Sequence, residues 1–118
     1  MIDLGKIQAQ FKEWFDKNLS RGVQEDRFCN AMGIGEEAGE ILHMVRVDFQ
    51  GIREGLDKEK VRDEIMDGVG DVIIYAMNLC SLYGINIEDA IAKTASKVLK
   101  RDWVNNPGSA HLEGDDNG

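Results

Sequence analysis

The sequence predicts an all-α fold, a four-helix bundle-like domain that associates into an oligomer. Three observations predict the helical class. Apolar residues recur at spacings of three and four in four successive segments. No pair of segments alternates apolar and polar residues as neighbouring strands would. Proline occurs once, at Pro107, while glycine-containing breaks separate the segments. The 118 residues suit a single domain, expected over residues 1–106. Residues 107–118 are polar and glycine-rich, and are expected to form a flexible tail.

The first helix is expected from Leu4 to Lys17, with Leu4, Ile7, Phe11, Trp14 and Phe15 on one side. The second is expected from Gln24 to Phe49, where "FQGIREGLD" breaks the pattern. Asp57 is placed to cap a third helix from Lys58 to Tyr83, and Gly84 to end it. Asn86 is placed to cap a fourth, from Ile87 to Val104, with Asp89 three positions on as in a capping box.

The formal net charge of −8 argues against a nucleic-acid polymer as partner, because such binders carry a basic surplus. Cys29 and Cys80 lie far apart in apolar surroundings, which reads as two reduced core cysteines of a cytoplasmic protein. The longest apolar run, "VIIYAMNLCSLYGI", is too short to span a bilayer, so no membrane partner is expected.

The stretch "GIGEEAGE" crowds Glu36, Glu37 and Glu40 into little more than one turn. Like charges at that spacing repel by roughly 0.2–0.5 kcal/mol per pair. On a helical wheel they lie away from a stripe of Ile34, Ala38, Ile41, Leu42 and Val45, the expected core side. The ordinary reading of such a face is solvation, yet no Lys or Arg stands where it would relieve the repulsion. On the third helix Glu64, Asp67, Asp71, Tyr75 and Asn78 share a face with Gly68. The rest of that helix is apolar nearly all round, with Ile74 and Met77 outside both arcs, and is expected to be buried. Buried acids need a counter-charge, and a bound cation supplies one for carboxylates on two facing helices. An oxygen-rich donor set suits Mg²⁺, with Mn²⁺ the alternative. Glu40 and His43 have the Glu-x-x-His spacing of di-iron bundles, but that site needs a second such pair, and the other histidine, His111, lies in the tail. Gly39, Gly68 and Gly70 would admit a helix or ligand close to the backbone. Lys93, Lys97, Lys100 and Arg101 share one side of the fourth helix, a solubilising face or a hold on the outer phosphates of a nucleotide.

These segments resemble the MazG-like all-α nucleoside triphosphate pyrophosphohydrolases. "GIGEEAGEIL" is similar to the family's Glu-x-x-Glu helix through Glu37 and Glu40, and "DGVGDVIIYAMNL" to its Glu-x-x-Asp helix through Asp71. "YGINIEDAIAKTASKVLKR" is similar to its last helix. The resemblance covers residues 25–103 and implies Mg²⁺-dependent hydrolysis of a nucleoside or deoxynucleoside triphosphate to monophosphate and pyrophosphate. It implies metal ligands Glu37, Glu40 and Asp71, with Glu36 or Glu37 activating water and Lys93, Lys97 and Arg101 near the phosphates. Tyr75 and Asn78 are candidates for base or ribose contact, with Asn30 and Trp14 behind them. The family's glutamate three residues before Asp71 is Gly68 here. Asp67 is expected to replace it, with Glu64 as the alternative, and a glutamate restored at Gly68 is expected to be tolerated. The resemblance and the apolar third helix both imply a homodimer or homotetramer. The rival reading is a non-catalytic helical module that binds metal or nucleotide, or serves assembly.

Overall fold

The computed structural model describes residues 1–51, 55 and 57–109. The chain forms four α-helices: α1, Leu4–Asn18; α2, Val23–Gln50; α3, Lys58–Leu82; and α4, Ile87–Val98. A 3₁₀ turn follows at Pro107–Ser109, and no strand occurs among the described residues. The expected break after Phe49 lies mainly outside the described residues, as does the expected flexibility of 110–118. Residues 1–87 make one compact unit, and a second begins at Glu88.

Local chemistry sets the helix ends. Asp3 accepts from the Lys6 N–H at 3.1 Å and Asp57 from the Glu59 N–H at 2.9 Å, each satisfying an orphan donor of a first turn. At the end of α3 Gly84 takes φ +68°, and the Ile85 and Gly84 amides donate to the Cys80 and Ser81 carbonyls. That is a Schellman closure, which needs a left-handed residue there. Between α1 and α2, Asp26 accepts from Ser20 Oγ at 2.8 Å and the Arg21 N–H at 2.9 Å. The backbone bond from Arg21, then the Ser20 hydroxyl, hold its carboxyl below the usual range.

In the first unit α2 and α3 pack antiparallel. Their partners run in opposite order: Arg27 to Leu82, Asn30 to Asn78, Gly33 to Tyr75, Ile41 to Gly68, and Asp48 to Lys58. Two of these contacts fix how closely the helices approach. A Cβ on Gly33 would lie 2.6 Å from the Tyr75 ring, and one on Gly68 would lie 2.7 Å from Ile41 Cγ1. Gly39 and Gly70, by contrast, have nothing within 4 Å of such an atom, so the close approach expected there occurs at Gly33 instead.

The α1 helix is held to the end of α3 by Gln8, which is 7% exposed. Its Nε2 donates to the Ile85 carbonyl at 2.9 Å, with longer bonds to Ser81 Oγ and the Met77 carbonyl. Its Oε1 accepts from the Ile87 N–H at 2.9 Å. A buried amide satisfied at both ends fixes register as well as stability. Phe15 adds an aromatic contact to Tyr75, 6.1 Å between centroids.

The core departs from the expected one. Leu42 and Val45 are exposed, whereas the inner side of α2 carries Asn30, Gly33, Ile34, Glu37, Ile41 and Val47. The α3 helix is not covered all round: Met66, Val69 and Ile73 are exposed, Ile74 is half-buried, and Met77 is the core residue at 2% exposure. Cys29 is exposed and Cys80 half-buried, so Cys29 is not the core residue expected. The most apolar 18 residues of α3 have a mean hydropathy of 1.3, so by length and composition alone the helix is apolar enough to cross a membrane, although the continuous run within it is short. The α4 helix stops at Val98, six residues before the expected end. There the bonds tighten to the i−3 pattern at Lys100 and Arg101, and Asp102 then accepts from both the backbone and side chain of Asn105. Lys100 and Arg101 therefore lie beyond the helical face assigned to them.

The Gly68 contact reverses the expectation that a glutamate would fit there. Gly68→Glu is expected to destabilise the fold by about 1–3 kcal/mol, because an added side chain overpacks a closed helix contact. Urea denaturation measures this, and unchanged stability would mean that Ile41 gives way freely.

Candidate functional site

The antiparallel register sets Glu37 on α2 opposite Asp71 on α3, between the Gly33–Tyr75 and Ile41–Gly68 contacts. Both carboxylates are half-buried, while Glu36 and Glu40 are exposed on the flanking turns. Burial, then the charges of Glu40 and Asp71, a hydrogen bond with Glu40 and the charge of Glu36 raise the Glu37 pKa above the usual range. Tyr75 stands one turn beyond Asp71, and its hydroxyl is raised by burial and by Glu37, Glu36 and Asp71 in turn. The structure thus brings Glu36, Glu37, Glu40, Asp71 and Tyr75 into one electrostatic neighbourhood. Among the described residues no Lys, Arg or His forms an ion pair with any of its four acids.

This geometry bears directly on a metal. The all-oxygen donor set and the unrelieved charge on Glu37 suit a hard divalent cation. The carboxylates interact without closing into a cage: among the described residues no three of His, Cys, Asp and Glu form a metal-holding group. Asp67 is exposed and lines a shallow hollow with Asp63, Met66, Gly70, Asp71 and Ile74. It flanks Asp71 but is not among the groups that perturb Glu37. Glu64 and His43 are exposed.

Beyond Tyr75 a cavity of about 170 Å³ opens between the end of α1, the start of α2 and α3. Phe15, Cys29, Asn30, Tyr75 and Asn78 contribute to its wall. The Asn78 Nδ2 donates to Asn30 Oδ1 at 3.1 Å, and Asn30 Nδ2 donates to the Asp26 carbonyl at 2.7 Å. Trp14 lies outside this wall, half exposed and edge-on to Phe15. Lys93, Lys97 and Arg101 belong to the second unit, where the Arg101 guanidinium stands 5.8 Å from the Trp103 ring centre. The sequence pattern pointed to Phe15 and Cys29 only as core residues, not as part of a cavity wall, and did not single out Gln8. Gln8 left one signal, a polar residue on the apolar side of α1 beside Ile7 and Phe11.

The MazG nucleotide pyrophosphohydrolase domain matches residues 29–104. The chain belongs to the MazG nucleotide pyrophosphohydrolase family. This span contains the Glu37–Glu40 turn and Asp71, together with Tyr75, Asn78 and the basic residues of the second unit. The chain is also 30% identical over 105 residues to the uncharacterized protein YvdC of Bacillus subtilis (strain 168), covering 85% of this chain and 96% of the relative. No solved structure matches it. Enzymes of the MazG family generally depend on a divalent cation, which agrees with the chemistry of the acid set.

The raised Glu37 carboxyl predicts a pH dependence. A carboxyl that binds protons more tightly folded than unfolded costs stability as pH rises from the ordinary carboxylate value through its own raised value. Glu37→Gln removes that cost. Without divalent cation, the variant is expected to melt a few degrees above the parent at neutral pH and to match it more closely in acid. Melting curves from pH 4 to 8 provide the check.

Proposed function

We propose that the protein hydrolyses a nucleoside or deoxynucleoside triphosphate to the monophosphate and pyrophosphate, in a Mg²⁺-dependent reaction for which Mn²⁺ can substitute. One observation carries this reading: in a chain of the MazG family, Glu37 is held half-buried against Asp71 and Glu40 without a cationic partner. Glu37, Glu40 and Asp71 would hold the cation, with Asp67 reaching it directly or through water. When bound, Mg²⁺ neutralises the triphosphate and the charge that develops on the attacked phosphoryl group.

The chain's own groups divide the remaining work. Glu37 has a raised affinity for protons, which suits a general base. In this reading it takes the proton of the attacking water, or orients that water together with the exposed Glu36. Tyr75 limits solvent access at one end of the acid pair and turns its ring toward the nucleoside. Asn78 contacts the base or ribose. Lys93, Lys97 and Arg101 engage the outer phosphates. In this reading the reaction runs in the cytoplasm.

The working unit in this proposal is a homodimer or homotetramer. Only five apolar side chains are buried among the described residues, a thin core for this length. Meanwhile Phe28, Leu42 and Phe49 stand exposed on α2 at multiples of seven, fourteen and then seven residues apart, with Met32 and Val45 beside them. That is the repeat of a helix–helix seam, and a second copy would cover it. Basic residues of one chain would then serve the acids of another. The alternative of a non-catalytic metal- or nucleotide-binding module, or an assembly module, draws on one observation, the carboxylates that stop short of a closed cage.

Three measurements follow. Mg²⁺ is expected to raise Tm, since it binds the folded acid cluster in preference to the dispersed acids of the unfolded chain. Glu40→Gln and Asp71→Asn should each abolish both the shift and pyrophosphate release, and full turnover by both would remove this site. Asp67→Ala is expected to lower turnover by more than about tenfold, corresponding to about 1.4 kcal/mol of transition-state stabilisation. If Glu64→Ala is impaired instead, the ligand lies one turn back. Light scattering should report a dimer or larger at micromolar concentration, weakened by Leu42→Asp. A fully active monomer would locate the whole site in one chain.

A further inference from the structure

Two features meet in the wall of the cavity beside Tyr75. The first is a buried polar group that the fold does not satisfy. Asn78 is 4% exposed, and its Nδ2 donates to Asn30, which is locked in turn by its own bond to the Asp26 carbonyl. The Asn78 Oδ1 accepts from no donor among the described residues. Such a group is rare in a native fold unless a bound water, ion or ligand completes it, so the cavity calls for a polar occupant. The second feature is a thiol. Cys29 is exposed and lines the same cavity. The other cysteine, Cys80, is half-buried and lies outside this wall.

Position decides what a group attached to the Cys29 sulfur would obstruct. Cys29 follows Phe28 by about 100° around α2, which turns it from the exposed apolar seam toward the cavity. A second copy seated on that seam leaves the thiol clear. Along α2, Cys29 lies eight residues before Glu37, about 12 Å along the helix axis, with the Gly33–Tyr75 contact between them. A substituent on Cys29 therefore stands at the Asn78 end of the site and away from the acids.

We propose that Cys29 is a reversible thiol switch, and that a mixed disulfide formed there closes the cavity to the nucleoside. The proposal rests on the pyrophosphohydrolase reading and adds regulation to that site. A low-molecular-weight disulfide such as oxidised glutathione is the oxidant. The Cys29 thiol gives up its proton, and its sulfur attacks one sulfur of that disulfide. A new S–S bond forms at Cys29, the disulfide's own S–S bond breaks, and one glutathione leaves and takes up the proton. Cys29 is oxidised, the departing sulfur is reduced, and an added thiol reverses the exchange. Access decides which cysteine reacts, and Cys29 is the exposed one.

The test incubates the full chain with excess oxidised glutathione and follows adducts by intact mass and peptide mapping. A single glutathionyl group should appear on Cys29 and none on Cys80. Pyrophosphate release is measured on whichever of dCTP, dTTP, dATP and dGTP the untreated protein turns over fastest. It should fall in proportion to the modified fraction and return on adding dithiothreitol. Cys29→Ser, read against its own untreated value, should lose nothing. Saturating nucleotide should slow the adduct, and the modified protein should keep whatever rise in Tm Mg²⁺ gives the untreated one. The inference is overturned by no adduct at Cys29, full turnover by the modified protein, or an equal loss in Cys29→Ser. Adduct formation indifferent to nucleotide, or loss of the Mg²⁺ shift, overturns it as well. All of these leave the hydrolase reading intact. If no nucleotide releases pyrophosphate from the untreated protein, that reading fails, and calorimetric titration of the same nucleotides with Mg²⁺ decides the switch. Binding abolished by the adduct sustains it; binding retained, or absent from the start, overturns it.

Discussion

The close approach of α2 and α3 at two glycines governs the rest of the first unit. Gly33 admits the Tyr75 ring and Gly68 admits Ile41, and between these contacts the register leaves Glu37 facing Asp71. Helix pairs usually stand 8–10 Å apart according to the side chains between them. A missing Cβ on each helix in turn lets the pair close without a void. The same closeness partly strips Glu37 of water, which is the first cause of its raised proton affinity.

Packing and chemistry therefore compete for Gly68. A glutamate at this position would add a carboxylate to the site, but the space it needs belongs to Ile41. Its absence leaves an acid set that is chemically suited to a divalent cation and geometrically open. Asp67 sits on the outer side of the same turn, beside Asp71. Any contribution it makes to the site must come from that side.

Tyr75 joins the two halves of the site. Its ring closes the Gly33 contact, meets Phe15 of α1 and forms part of the cavity wall, while its hydroxyl feels Glu37, Glu36 and Asp71. Gln8 then ties α1 to the end of α3, which keeps Phe15 in place behind the ring. One aromatic side chain thereby couples the acid pair to the nearby pocket, and the α1 anchor stabilises both.

The sequence by itself determined the helical class, the starts of α1, α3 and α4, the caps at Asp57 and Gly84, and the nearness of Glu37, Glu40 and Asp71 to one another. These are local matters: periodicity, capping side chains and glycine at positive φ act within a few residues. Only the tertiary structure decided which side of α2 faces inward. Leu42 and Val45 outrank Glu37 in hydrophobicity, yet they are exposed while Glu37 is half-buried, because the side that meets α3 is chosen by where glycine permits contact. For the same reason the buried amide pair, the Gln8 anchor and the closed space at Gly68 were not legible in the sequence. Each depends on residues roughly 27 to 79 positions apart in the chain, and only packing brings such residues together.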